Sequence, residues 1–176
     1  MRPVYIFSFD NMASPENRIW EMLVDDPLYG RLGSFTRSWT VVRNQPEGDP
    51  GCFTDHNGDR HAGTIALLDL LGNPFSWVNG VALPIDLSGL SELDHEHAGR
   101  YERSADLSAV FEERVRGPLY AYLPLDNGID EERAVIPDSY WNDCQVTFSF
   151  LAEDGWQEFL LTTETPPYPR RALFPS

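Results

Sequence analysis

The chain has 176 residues, of which 41% are hydrophobic and 23% charged, which fits one globular domain with a sizeable core and excludes global disorder. Its net charge of −15 sets up a field that repels phosphate backbones and anionic lipid, so neither nucleic acid nor a membrane is an expected partner. All thirteen basic residues are arginines, and without lysine there is no Schiff-base chemistry, no pyridoxal phosphate anchor and no phosphate-loop ammonium.

Cys52 and Cys144 are far apart and form no CxxC pair, so reduced thiols of a cytoplasmic protein are expected rather than a disulfide scaffold. The first ten residues lack a secretory apolar region, and no apolar run approaches the ~18 residues of a membrane span. Five tryptophans within a 12% aromatic share point to a well-filled interior and an aromatic-walled pocket.

In chain order, residues 4–9 are branched and aromatic and predict a first strand. Ser14-Pro15 reads as an N-cap with proline at the first helical position, opening a helix that carries Ile19, Met22 and Leu23 and closes at Pro27. Residues 31–43 alternate, with Phe35, Trp39 and Val41 on one face and Thr36, Ser38 and Thr40 on the other, as in a half-buried strand. A Gly-, Pro-, Asp- and Asn-rich loop covers 44–63. Two apolar strands, 64–70 and 76–83, follow on either side of a Gly-Asn-Pro turn.

Asp86 is placed to cap a short helix over 86–97 with Leu87, Leu90 and Leu93 at helical spacing. Residues 100–111 alternate again, with Tyr101, Arg103, Ala105, Leu107, Ala109 and Phe111 on one side, and 119–123 make a last short strand. Phe35, Trp39, Tyr101, Ala105 and Leu107 are expected to share one interior. After a polar turn, Pro137-Asp138-Ser139 opens a helix with Tyr140, Cys144, Phe148 and Leu151 on one face; Gly155 ends it and a second short helix covers 156–163. Residues 164–176 form an extended, proline-stiffened tail. Strands without regular β-α-β alternation predict a mixed α+β domain over 1–176, a small curled mixed barrel with peripheral helices, rather than a doubly wound sheet.

Titratable groups concentrate in Asp94-His95-Glu96-His97, the end of a predicted helix, where a solvated charge cluster is the plain reading. His95 and His97 would share a face on a strand but point about 200° apart on a helix, and no third ligand lies nearby, so no metal is expected. His56 and His61 fall in the polar loop and read as surface residues. Cys144 reads as a small core residue without a positive partner. No GxGxxG, phosphate loop or GxSxG is present, and no cofactor is expected.

Several short segments, taken in order, carry a resemblance. Ser8-Phe9-Asp10-Asn11-Met12 follows the first strand where one family has Tyr-Gly-Ser-Asn-Met, and Gly33-Ser-Phe35-Thr-Arg-Ser-Trp39 matches its next strand. Leu93-Asp94 precedes Tyr101-Glu-Arg103, as in a Leu-Asp-x-x-Glu helix followed by a Tyr-x-Arg strand, and Pro137-Asp138-Ser139-Tyr140 matches a late Pro-Ser-x-x-Tyr helix start. The chain thus resembles the gamma-glutamylcyclotransferase-like superfamily over most of its length.

The resemblance implies a small-molecule reaction in which the α-amine of a γ-glutamyl group attacks its own γ-carbonyl and releases 5-oxoproline. It implies substrate contacts from Phe9, Asp10, Asn11, Met12 and Tyr140. Proton transfer would fall to His97, which holds the family's carboxylate position, or to Glu96 beside it. Phe9 stands where the family has a glycine, adding bulk and removing φ freedom. The alternative on the same fold is a catalytically silent module that binds a small molecule or another protein. Nothing in the sequence sets an oligomeric state.

Overall fold

A computed structural model describes residues 3–45, 52–125 and 134–175. Strand β1 (Val4–Ser8) is buried at every position, as expected of a strand covered on both faces. It lies between β4 (Thr64–Ile85), antiparallel to it, and β6 (Leu119–Tyr120), parallel to it; β2 (Leu28–Arg43) completes the sheet on the far side of β4, giving the order β2-β4-β1-β6. Ala82 is paired on both edges, with Phe7 of β1 and Leu28 of β2, so β4 is the spine of the sheet. The long β2 and β4 curl this sheet into a half-barrel, with three α-helices among the described residues packed around it, a mixed α+β architecture.

The expected pair of strands around Gly72-Asn73-Pro74 is one 22-residue strand instead. No reversal occurs there, because β2 accommodates the insertion: Gly33 pairs with Trp77 and Phe35 with Gly72, so residues 73–76 bulge out opposite Ser34, which adopts a left-handed φ of 68°. Proline is tolerated at such a bulge because no ladder hydrogen bond is needed from it.

Two further expectations are corrected. The helix opening at Pro15 is a single 3₁₀ turn, Arg18–Met22. Ser14 takes its side chain into a local turn, accepting from Glu16 N at 3.3 Å, and the cap passes to Asn17, which accepts from Ile19 N at 3.1 Å. The strand expected over 100–111 shrinks to β5 (Tyr101–Arg103), paired with β7 (Tyr122–Pro124). Asp106 breaks the rest by accepting from Ser108 N at 2.9 Å and Leu119 N at 3.0 Å. Leu107 is therefore buried and Phe35, Trp39 and Tyr101 pack partly buried against the core, but Ala105 is exposed.

Helix α1 (Leu87–His97) starts where Asp86 accepts from Gly89 N at 2.8 Å. Helix α2 (Asp138–Leu151) buries Tyr140, Cys144, Thr147 and Phe148 along one face, and α3 (Gly155–Leu161) packs on it through Phe148 and Phe159, whose rings lie 4.7 Å apart. The tail runs extended: β10 (Phe174–Pro175) pairs with β3 (Phe53–Thr54), Leu173 is wholly buried, and β9 (Arg170–Arg171) pairs with β8 (Ile136–Pro137). His56 is exposed, whereas His61 is partly buried. The polar turn after residue 125 and part of the 44–63 loop lie outside the described residues. Among the described residues no helix is long and apolar enough to cross a membrane.

Candidate functional site

The loop that leaves β1 is held from three directions. Gly80 on β4 lets it approach: a Cβ there would stand 2.5 Å from the Ser8 carbonyl oxygen and from the Phe7 ring. Arg37 of β2, wholly buried, donates from Nε to the Phe9 carbonyl at 2.8 Å, from Nη1 to Thr162 Oγ1 at 2.8 Å and from Nη2 to Asn79 Oδ1 at 2.8 Å. Its guanidinium also faces the Phe159 ring at 4.4 Å. From within the loop, Asp10 caps the 3₁₀ turn Asn11–Ala13, its Oδ1 accepting from Met12 N at 3.0 Å and Ser8 Oγ at 3.4 Å.

Beside this loop lies a cavity of ≈ 130 Å³, smaller than the ~300–1,000 Å³ of drug-sized pockets and suited to a compact ligand. Asn11, Tyr101 and Tyr140 line it together with Phe53 of β3, and Arg43 and Arg100 border it. Arg100 also donates to the Glu96 carbonyl at the end of α1. On a chain with net charge −15, two arginines among the residues of one small cavity concentrate positive charge locally.

The tyrosines and the loop carboxyl are electrostatically linked. Tyr140 Oη accepts from Leu68 N at 3.1 Å and lies 3.4 Å from Asp10 Oδ2, toward which it donates. Burial pushes the Asp10 carboxyl up, opposed by the hydrogen bonds from Met12 and Tyr140 and by the charge of Arg37. Burial first, and Asp10 second, holds Tyr140 well above the usual phenol range and lifts Tyr101 to about 12. Cys144 behaves as a core residue, its thiol driven upward chiefly by burial.

No protein-family model matches the sequence, and no curated protein matches it either. Solved structures do. YkqA from Bacillus subtilis superposes with a TM-score of 0.62 at 16% identity, covering 97% of this chain and 57% of that one, so this chain spans little more than half of YkqA. A gamma-glutamyl cyclotransferase superposes with a TM-score of 0.60 at 13% identity, over 97% of this chain and 94% of the other. The chain has the gamma-glutamylcyclotransferase fold. An uncharacterized protein from Homo sapiens shares it, with a TM-score of 0.51 at 14% identity over 98% of this chain and 94% of that one.

On this gamma-glutamylcyclotransferase fold the residues singled out in the sequence divide into three groups. Asn11 and Tyr140 line the cavity, and Asp10 sits one hydrogen bond behind Tyr140. Phe9 is 2% exposed and turns into the hydrophobic core, not into the cavity. Met12, Glu96 and His97 line a second, smaller cleft of ≈ 70 Å³ with Arg18 and Ile19. There Glu96 pairs with Arg18 at 3.6 Å. The His97 ring is wedged against Tyr122 at 4.6 Å and Tyr101 at 5.0 Å, so one aromatic ring stands between it and the cavity. Burial pushes its imidazole down, and neither ring nitrogen has a hydrogen-bond partner among the described residues.

Sequence reasoning missed Arg37, Arg43, Arg100 and Phe53. Arg37 left a signal, since it shares the strand face of Phe35, Trp39 and Val41, and a charge on an apolar face calls for partners. Arg43 and Arg100 carried none, because only the curl of the sheet brings the end of β2 beside the end of α1. Among the described residues no group of three His, Cys, Asp or Glu side chains could hold a metal ion.

Proposed function

We propose that this protein binds the γ-glutamyl end of a small amide in the cavity beside Asn11 and cyclises it, releasing 5-oxoproline and the free amine. The observation that supports this reading is the pairing, on this fold, of a compact cavity at the β1 loop with arginines 43 and 100 at its border. The arginines suit the substrate's α-carboxylate. Asn11 and the tyrosines offer hydrogen bonds to the remaining polar atoms. The reaction needs no cofactor: the substrate supplies both nucleophile and electrophile, and the protein has to orient them and move protons.

A second reading, a ligand-binding module without turnover, is favoured by one observation: no Asp or Glu side chain is among the described residues that line the cavity. One experiment separates the two. A panel of γ-glutamyl dipeptides and γ-glutamyl alkylamines is incubated with the protein and 5-oxoproline release is followed, while binding of 5-oxoproline itself is measured by calorimetry. Turnover supports cyclisation. Binding without turnover supports the module, and neither would remove the site from this cavity.

A further inference from the structure

A cyclisation in this cavity needs a group that takes a proton from the substrate ammonium, and the described residues lining it include no carboxylate and no imidazole. The two groups nearest in sequence pattern are engaged elsewhere, Glu96 with Arg18 and His97 behind Tyr101. The carboxylate that does reach the cavity reaches it through a hydroxyl. Tyr140 lines the wall, accepts from Leu68 N at 3.1 Å and directs its proton to Asp10 Oδ2 at 3.4 Å. A phenol oxygen has one proton and two lone pairs, so with the proton turned to Asp10 and one lone pair on Leu68, a single lone pair remains.

Asp10 is equally constrained. Its Oδ1 accepts from Met12 N and Ser8 Oγ, which fixes the carboxyl plane and leaves Oδ2 for Tyr140. The buried guanidinium of Arg37, itself bonded to neutral acceptors, supplies a positive charge that acts on Asp10. Contacts of this type are commonly long in unliganded sites and shorten when substrate is bound.

Resting on the reading above, we infer that Tyr140 and Asp10 form the proton relay of this cavity, with Tyr140 touching the substrate and Asp10 acting through it. The α-ammonium gives one proton to the remaining lone pair of Tyr140 as the phenolic proton passes to Asp10. The freed amine forms a C–N bond to the γ-carbonyl carbon. As the bond to the leaving nitrogen breaks, Tyr140 delivers a proton to that nitrogen and Asp10 re-supplies Tyr140. The second proton, lost from the ring nitrogen, returns through Tyr140 to Asp10 and leaves with the product amine as its ammonium ion. Asp10 ends as it began, an anion. Its carboxyl, raised by burial, is better matched to this exchange than an exposed aspartate.

The test uses the whole chain with γ-glutamylalanine and γ-glutamylmethylamine as substrates and 5-oxoproline as binding probe. Asp10→Ser keeps a side-chain oxygen to cap the 3₁₀ turn and removes only the carboxyl; Tyr140→Phe keeps the ring and removes the hydroxyl, so one serves if the other fails to fold. Each is expected to lower kcat about 10²-fold or more, the scale of a general base, with KM little changed. The double variant is expected to be no slower than the singles, because the two act as one unit. Wild-type activity should fall as pH drops through the Asp10 pKa, and Asp10→Ser should lose that limb, which a purely structural role would leave in place. A folded Asp10→Ser protein with near-normal kcat and an intact acid limb overturns the relay, as does loss of that limb in His97→Ala or Glu96→Gln instead. Wild-type protein that binds 5-oxoproline without any turnover overturns the relay and leaves the ligand site standing; absence of both binding and turnover overturns the proposed function with it.

Discussion

Arg37 Nε donates to the carbonyl oxygen of Phe9 at 2.8 Å, tying the middle of β2 to the loop that borders the cavity. Arg37→Met keeps the volume but leaves the Phe9, Asn79 and Thr162 acceptors without their donor, at ~1–3 kcal/mol for each buried group left unpaired. A loss of about 3–5 kcal/mol is expected, lowering Tm by roughly 10 °C for a chain of this size. Urea unfolding measures it, and an unchanged midpoint would show that the network does not hold the loop.

Gly80→Ala tests the same loop from β4. The added methyl would stand 2.5 Å from the Ser8 carbonyl oxygen, a backbone atom that cannot swing aside. A cost of about 1–3 kcal/mol is expected from overpacking. Because the strain is applied where β1 ends, 5-oxoproline binding should weaken in the folded fraction as well.

His97 predicts a pH dependence of stability. Its imidazole is held below the ordinary histidine value of 6.5, first by burial, so the unfolded chain takes up a proton that the folded one resists. Its contribution is therefore fully present above about pH 6.5 and declines as pH falls toward the folded pKa. His97→Phe fills the space between Tyr101 and Tyr122 without two unpaired nitrogens. That variant should gain about 1 kcal/mol at neutral pH and flatten the decline, as read from thermal melts across pH 5–7.

Arg43→Gln removes a charge at the cavity border without touching the buried core. For an exposed cation the expected penalty on an anionic ligand is about 0.5–1 kcal/mol, a two- to fivefold weaker affinity. The salt dependence of binding should shrink with it. Calorimetry at two ionic strengths checks both, and equal affinity would move the anion contact to Arg100 alone.

Local chemistry was legible in the sequence for α1 and α2, though not at Ser14, where the cap passed to Asn17. Asp86 starts α1 and the spacing of Tyr140, Cys144 and Phe148 sets the buried face of α2, because caps and helical periodicity act within a turn or two. Residues 100–111 misled for the converse reason: they alternate, but Asp106 draws two backbone N–H groups into a turn that alternation alone cannot register. The cavity was half legible. Asn11 and Tyr140 follow from resemblance, whereas Arg43 and Phe53 enter its wall through the curl of the sheet and through a strand pair with the tail, both set by contacts distant in sequence.

That strand pair gives the tail a second effect. Phe53 stands in the cavity wall, and its own strand is stitched to Phe174 and Pro175, while Ser139, beside Tyr140, donates to the Leu173 carbonyl at 2.7 Å. The tail therefore works as a clasp on two sides of the cavity. A change at Phe174, which is not among the residues lining the cavity, would reach the cavity through that clasp.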